Sequence, residues 1–160
     1  MKKVTIALLL SVTAVITLIT TTFAATQPAP ATGPFTGTFT GTVNGDRGSK
    51  TTLTLDLTDQ DHTIAGTTSL GGGLVINAGG LCGTAVLPTS TLWAEGSSTA
   101  KHPDQLNATT TIDVGSFIVT VDVDGDLSAD GETLDLTAKI NTPFMCGRDP
   151  IITGTLTRLP

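Results

Sequence analysis

The chain has no tyrosine and a single tryptophan, and aromatic residues make up only 4% of it. Sugar binding and protein hot spots lean on exposed rings, so both are poorly provided for. Cations are scarce as well: 8 lysines and arginines stand against 14 acids. A surface of that sign repels phosphate backbones, which argues against nucleic acid and makes an anionic membrane a poor partner. The two histidines, His62 and His102, come without a third nitrogen or thiolate ligand at metal spacing, so no zinc motif is present. No Gly-x-Ser-x-Gly elbow or other nucleophile signature occurs. Helical spacing of apolar residues is missing beyond the N-terminal segment, and no second apolar run approaches the roughly 20 residues that span a bilayer.

What is present begins at the N-terminus. Lys2 and Lys3 precede an apolar run from Val4 to about Ile19, followed by Thr22-Phe23-Ala24-Ala25. This is the layout of a secretory signal peptide, expected over residues 1–24, and it implies an extracytoplasmic product, secreted or periplasmic and of bacterial type. Its removal takes Lys2 and Lys3 and leaves 136 residues with six cations against 14 acids, a net charge of −8. Residues 25–34 read as a Pro/Ala/Thr linker, and 35–160 as one β-domain with a single core. Export makes a disulfide between Cys82 and Cys146, the only cysteines, the expected fate of both. Neither cysteine follows the signal directly, so no lipid anchor is expected.

From Phe35 onward the pattern alternates with period two. Phe35, Gly37, Phe39, Gly41 and Val43 interleave with threonines; Leu53, Leu55 and Leu57 with Thr54 and Asp56; Phe117, Val119, Val121 and Val123 with Ile118, Thr120 and Asp122. Such alternation puts one strand face in a core and the other in water, and threonine-rich runs make poor helices. Ten stretches qualify, at 35–43, 50–58, 62–70, 73–78, 83–87, 90–97, 105–114, 116–127, 133–141 and 151–158, from which eight or nine strands are expected. Short turn signals between them, above all Asp130-Gly131, favour a meander. The first and last stretches share the pattern Thr-Gly-Thr (36–38 and 153–155), which suggests that they pair and close a small barrel. Glycines at 37, 41, 66 and 154 suit its tight curvature. The fold class expected is all-β, a small antiparallel meander barrel, with a two-sheet β-sandwich as the alternative.

Few residues offer chemistry. Asp122, Asp124 and Asp126 form the densest acidic cluster, an oxygen-rich spacing that can hold calcium, although it lacks the glycine and glutamate of an EF-hand loop. Alternation puts all three on one solvated strand face. Trp93 is the one aromatic to watch as a binding residue; core packing is the commoner fate of such a side chain. His102 beside Asp104 resembles an acid–base pair without a nucleophile, and Glu95 and Glu132 are the only glutamates from which a glycosidase pair could be drawn. Gly71–Gly73 and Gly79–Gly80 have no helix or lysine after them and read as turns.

The opening Gly37-Thr38-Phe39, a turn, an alternating strand and then Thr63-Ile64-Ala65-Gly66-Thr67 resemble the first three strands of avidin-type and other calycin-like barrels. The resemblance covers about the first third of the mature chain and implies a meander barrel topology. It carries no binding residues over, since Phe39 stands where those proteins place a first-strand tryptophan. The function expected is a non-catalytic binding module, monomeric, for a small ligand or an envelope or extracellular partner. It would use the barrel mouth or the loops around Gly71–Cys82 and Pro143–Pro150. A hydrolase using acidic residues and a structural or inhibitory envelope protein are the alternatives. No cofactor beyond the calcium reading is expected.

Overall fold

The computed structural model describes residues 32–113 and 118–160. Residues 1–24, expected as a signal peptide, most of the expected linker and Phe117 lie outside the described residues. Ten strands follow one another: β1 (Gly37–Asn44), β2 (Lys50–Gln60), β3 (Thr63–Leu70), β4 (Leu74–Gly79), β5 (Gly83–Leu87), β6 (Ser90–Thr99), β7 (His102–Asp113), β8 (Ile118–Leu127), β9 (Thr133–Asn141) and β10 (Ile151–Arg158). Eight of them close an antiparallel barrel in the order β1-β10-β9-β8-β7-β6-β3-β2, and β4 and β5 form a separate hairpin. The barrel is a meander with one hairpin inserted between β3 and β6.

Closure follows from the matching ends of the chain. Thr40 lies opposite Thr157 and Gly41 opposite Leu156. A Cβ on Gly41 would stand 2.4 Å from the Thr155 carbonyl oxygen, and one on Gly66 only 2.0 Å from that of Asp56. Both glycines therefore sit where neighbouring backbones crowd too closely for a side chain. The turn between β2 and β3 is two residues long, Asp61 and His62, both at positive φ (50° and 67°), as the twist of a tight hairpin requires. Alternation then sorts the faces: Phe39, Val43, Leu53, Leu55, Leu134, Leu136, Ile140 and Leu156 are buried, and the intervening threonines and aspartates are wet.

Both ends of the barrel are stoppered. At the end holding the β2–β3 turn, Phe35 is fully buried and its N–H donates to Asp59 Oδ2 at 3.3 Å. Asp59 is itself buried, and its Oδ1 has no hydrogen-bond partner among the described residues. Arg158 fixes this plug: its guanidinium donates to the carbonyls of Gly131, Thr36 and Pro34, and lies 4.4 Å over the Phe39 ring. Thr32, expected in the linker, already bridges to Gln60, and the Gly33 N–H donates to Asp59 O at 2.9 Å.

At the other end the β4–β5 hairpin folds across the barrel and buries Leu74, Ile76 and Leu87 against it. Its β4 edge is capped by the β1–β2 loop. Val75 N–H donates to Ser49 Oγ (2.9 Å) and Asn77 N–H to Asp46 Oδ2 (2.7 Å). Arg148, from the β9–β10 loop, pairs with Asp46 and donates from Nε to Asn77 O (2.7 Å). The Cys82–Cys146 disulfide ties the hairpin tip to the same loop, across 64 positions of sequence. Among the described residues, no helix is long and apolar enough to cross a membrane.

Candidate functional site: a void inside the barrel

The barrel interior is packed on one side only. β1, β2, β9 and β10 send in phenylalanine, leucine and isoleucine, whereas β6 offers Ser90, Leu92, Ala94 and Gly96, and β7 offers Leu106, Ala108, Thr110 and Ile112. Small side chains on two adjacent strands leave space that the opposite wall does not fill. The result is a cavity of about 320 Å³, bounded by Leu53, Leu55 and Leu57 on one wall, Leu136 and Ala138 on another, and Ala94 and Ala108 on the thin one. Its polar groups are few: the hydroxyls of Thr68, Ser90 and Thr110, with Glu95 at its border. A mostly apolar chamber with sparse polar groups, at the small end of the usual size range, is the form of a small-molecule site.

The same two strands supply a side opening. β6 pairs with the whole of β3, from Thr63↔Ser97 to Leu70↔Ser90. With β7 it pairs only from Glu95↔Thr109 to Thr99↔His102, with a register shift past Ser97. Pro103 has no N–H to donate in that stretch. Above Glu95 no ladder pair joins the two strands among the described residues; instead the Thr110 hydroxyl donates to Trp93 O at 3.1 Å. The inward residues bordering this seam, Leu92, Ala94, Thr110 and Ile112, are half-buried, while their counterparts on β2 and β9 are buried. A second void of about 210 Å³ lies under the disulfide, between Ile76, Ala78, Val119 and Ile140.

Trp93 is not a core residue. It occupies the outward phase of β6, is 59% exposed, and its Nε1 donates to Glu95 Oε1 at 3.0 Å. The commoner fate of a tryptophan yields here to strand phase, because Leu92 and Ala94 take the inward positions. Its ring therefore faces away from the cavity. Asp122, Asp124 and Asp126 share the outer face of β8, as alternation demands, and Asp122 accepts from Asn141 Nδ2 at 2.7 Å. Among the described residues no three His, Cys, Asp or Glu side chains gather into a metal-holding group. His62 Nδ1 is 3.0 Å from Ser98 Oγ.

Three carboxyl groups are held below the usual aspartate range. For Asp46 the Asn77 N–H is the main cause, with Arg148 adding to it against some desolvation; for Asp149 it is the Thr142 N–H, helped by Lys139 and the Thr142 hydroxyl. For Asp130 it is the Ser128 hydroxyl and then the Glu132 N–H. Asp46 and Asp149 belong to the latch around the hairpin, and Asp130 to the β8–β9 turn. Their acidity thus reports structural hydrogen bonds. The cavity was the feature that sequence reasoning missed. Its signal was the run of small residues at inward positions 94, 96, 108 and 110.

Comparison of the chain with protein-family models, with curated proteins and with solved structures found no match. Of the expected fold, what the structure shows is the closed, eight-stranded antiparallel barrel itself.

Proposed function

We propose that this protein is an extracytoplasmic, non-catalytic binding module that holds one small, largely apolar molecule inside its barrel. The observation that carries this reading is the 320 Å³ void walled by leucines and alanines inside the barrel. At the packing density of protein interiors, about 0.74, it takes about 240 Å³ of ligand, the scale of a medium-length acyl chain or a small terpenoid. Thr68 and Ser90, whose hydroxyls can donate or accept, would receive a single polar head, with the Thr110 hydroxyl, which donates to Trp93 O, able to accept. Both barrel ends being stoppered, the β6–β7 seam is the route in. The disulfide supports placement outside the cytoplasm, where such bonds persist.

The test is a fluorescence titration with N-phenyl-1-naphthylamine, followed by displacement with saturated fatty acids of graded chain length. Saturable one-to-one binding, with affinity rising by chain length to a sharp optimum, is expected. A signal that grows without saturation, or displacement indifferent to chain length, would reject the reading.

A further inference from the structure

The hairpin end of the barrel carries an unusual set of side chains. Leu81, at the β4–β5 tip, is 88% exposed, and Phe144 and Met145, in the β9–β10 loop, are 97% and 41% exposed. The two loops form one body. The disulfide joins them, the Leu81 N–H donates to Met145 O (3.2 Å), and the N–H groups of Gly147 and Arg148 both donate to Ala78 O (2.8 and 2.9 Å). Val86, on β5 of the same hairpin, is 62% exposed. Soluble surfaces seldom gather large apolar side chains on a rigid projection without something to cover them.

Charge is polarised along the barrel axis in the same sense. By strand position, the hairpin half holds Arg47, Lys50, Lys139 and Arg148 against Asp46, Asp113, Asp122 and Asp149, a balance of zero. Two of these acids are already engaged, by Arg148 and by Lys139 (3.1 Å). The opposite half holds the remaining ten acids against Lys101 and Arg158. The chain's whole excess of negative charge thus lies away from the apolar knob.

We infer that the hairpin end is a docking surface for a lipid bilayer, into whose interface Leu81, Phe144 and Met145 insert. A neutral end with rigid apolar tips costs little to desolvate and loses little side-chain freedom on insertion. The acidic far half is repelled by any anionic headgroups and so orients the barrel tip-first. Docking in this pose also holds the β6–β7 seam beside the bilayer surface, a source of acyl chains. That link rests on the cavity reading, but docking itself does not.

The experiment is vesicle flotation with the full mature protein, using phosphatidylcholine alone and phosphatidylcholine mixed with phosphatidylglycerol. Wild type is expected to float with both, and Leu81→Ser and Phe144→Ser each to lower the partition coefficient by about tenfold. The Trp93→Phe/Phe144→Trp protein should show a blue-shifted emission on vesicles. Naphthylamine binding by the serine variants in vesicle-free buffer separates the two readings, and it should match wild type. Absence of flotation with either vesicle would overturn the proposal. So would flotation that needs phosphatidylglycerol and survives both substitutions, or a dimer in sedimentation that Phe144→Ser dissolves while vesicles stay unbound.

Discussion

Replacing Ala94 by leucine asks the void a question about sign. Ala94 faces inward on β6, is half-buried and borders the cavity, so three added carbons would extend into space that no side chain among the described residues occupies. At about 0.8 kcal/mol per buried methylene the gain is about 2.4 kcal/mol, and ordering the leucine returns about 0.5–1 kcal/mol of it. Net stabilisation of about 1.5 kcal/mol follows, which raises Tm by about 5 °C in a domain of this size. The same carbons displace ligand. A molecule that gives up three methylenes of contact loses about 2.4 kcal/mol, or about fiftyfold in affinity for the naphthylamine probe. Leu136→Ala on the packed wall is the counterpart: it enlarges the cavity and costs about 2–5 kcal/mol without abolishing binding. Urea denaturation and the dye titration read both quantities on both proteins. If Ala94→Leu destabilises by more than about 1 kcal/mol and leaves dye affinity untouched, the site is already full and the reasoning fails.

Three further expectations concern the stoppers. Cys82→Ser with Cys146→Ser removes a bridge worth about 4 kcal/mol by loop-closure entropy, and amide exchange at Val75 and Asn77 should accelerate more than at Leu55. Arg158→Ala strips three carbonyl contacts and the Phe39 ring of their guanidinium, at a cost of about 2–4 kcal/mol in urea denaturation; Arg158→Lys should recover less than half, because one ammonium cannot span the fork. Acid should loosen the hairpin before it unfolds the barrel. Asp46 and Asp149 have folded-state acidities held below their unfolded values, so their contribution is whole at neutral pH. It starts to fall below about pH 3.9 and is gone once the pH has passed through the depressed values. Exchange of the Asn77 amide measured from pH 6 to pH 3 should show the loss in that window and not above it.

The strands were legible because alternation with period two is a local property, and each of the ten stretches lies within about three residues of an observed strand at either end. Barrel closure was legible in the shared Thr-Gly-Thr pattern of β1 and β10, although only Gly154 of its two glycines sits where neighbouring backbones press together; Gly37 makes room for the Arg158 guanidinium. Leu74–Leu87 alternates much as the barrel strands do, so nothing local marked β4 and β5 as a lid. Their separation depends on the bonds that Ser49, Asp46 and Arg148 make from distant loops. Core packing, the commoner fate weighed for Trp93, gives way to strand phase: with Leu92 and Ala94 inward, position 93 had to face out. The cavity is harder still. It is a difference between opposing walls, small on β6 and β7 and large on β2 and β9, and no single stretch of sequence contains both.

The central claim is that the barrel encloses empty apolar space beside Ala94 and Ala108. Diffraction from a crystal of the mature protein pressurised with xenon tests it directly, since a dry apolar void takes up the gas without rearrangement. A xenon peak between Ala94, Ala108 and Leu136, with the strands unmoved, is the expected result. Leucine or isoleucine side chains filling that volume, with no xenon bound inside the barrel, would contradict the account.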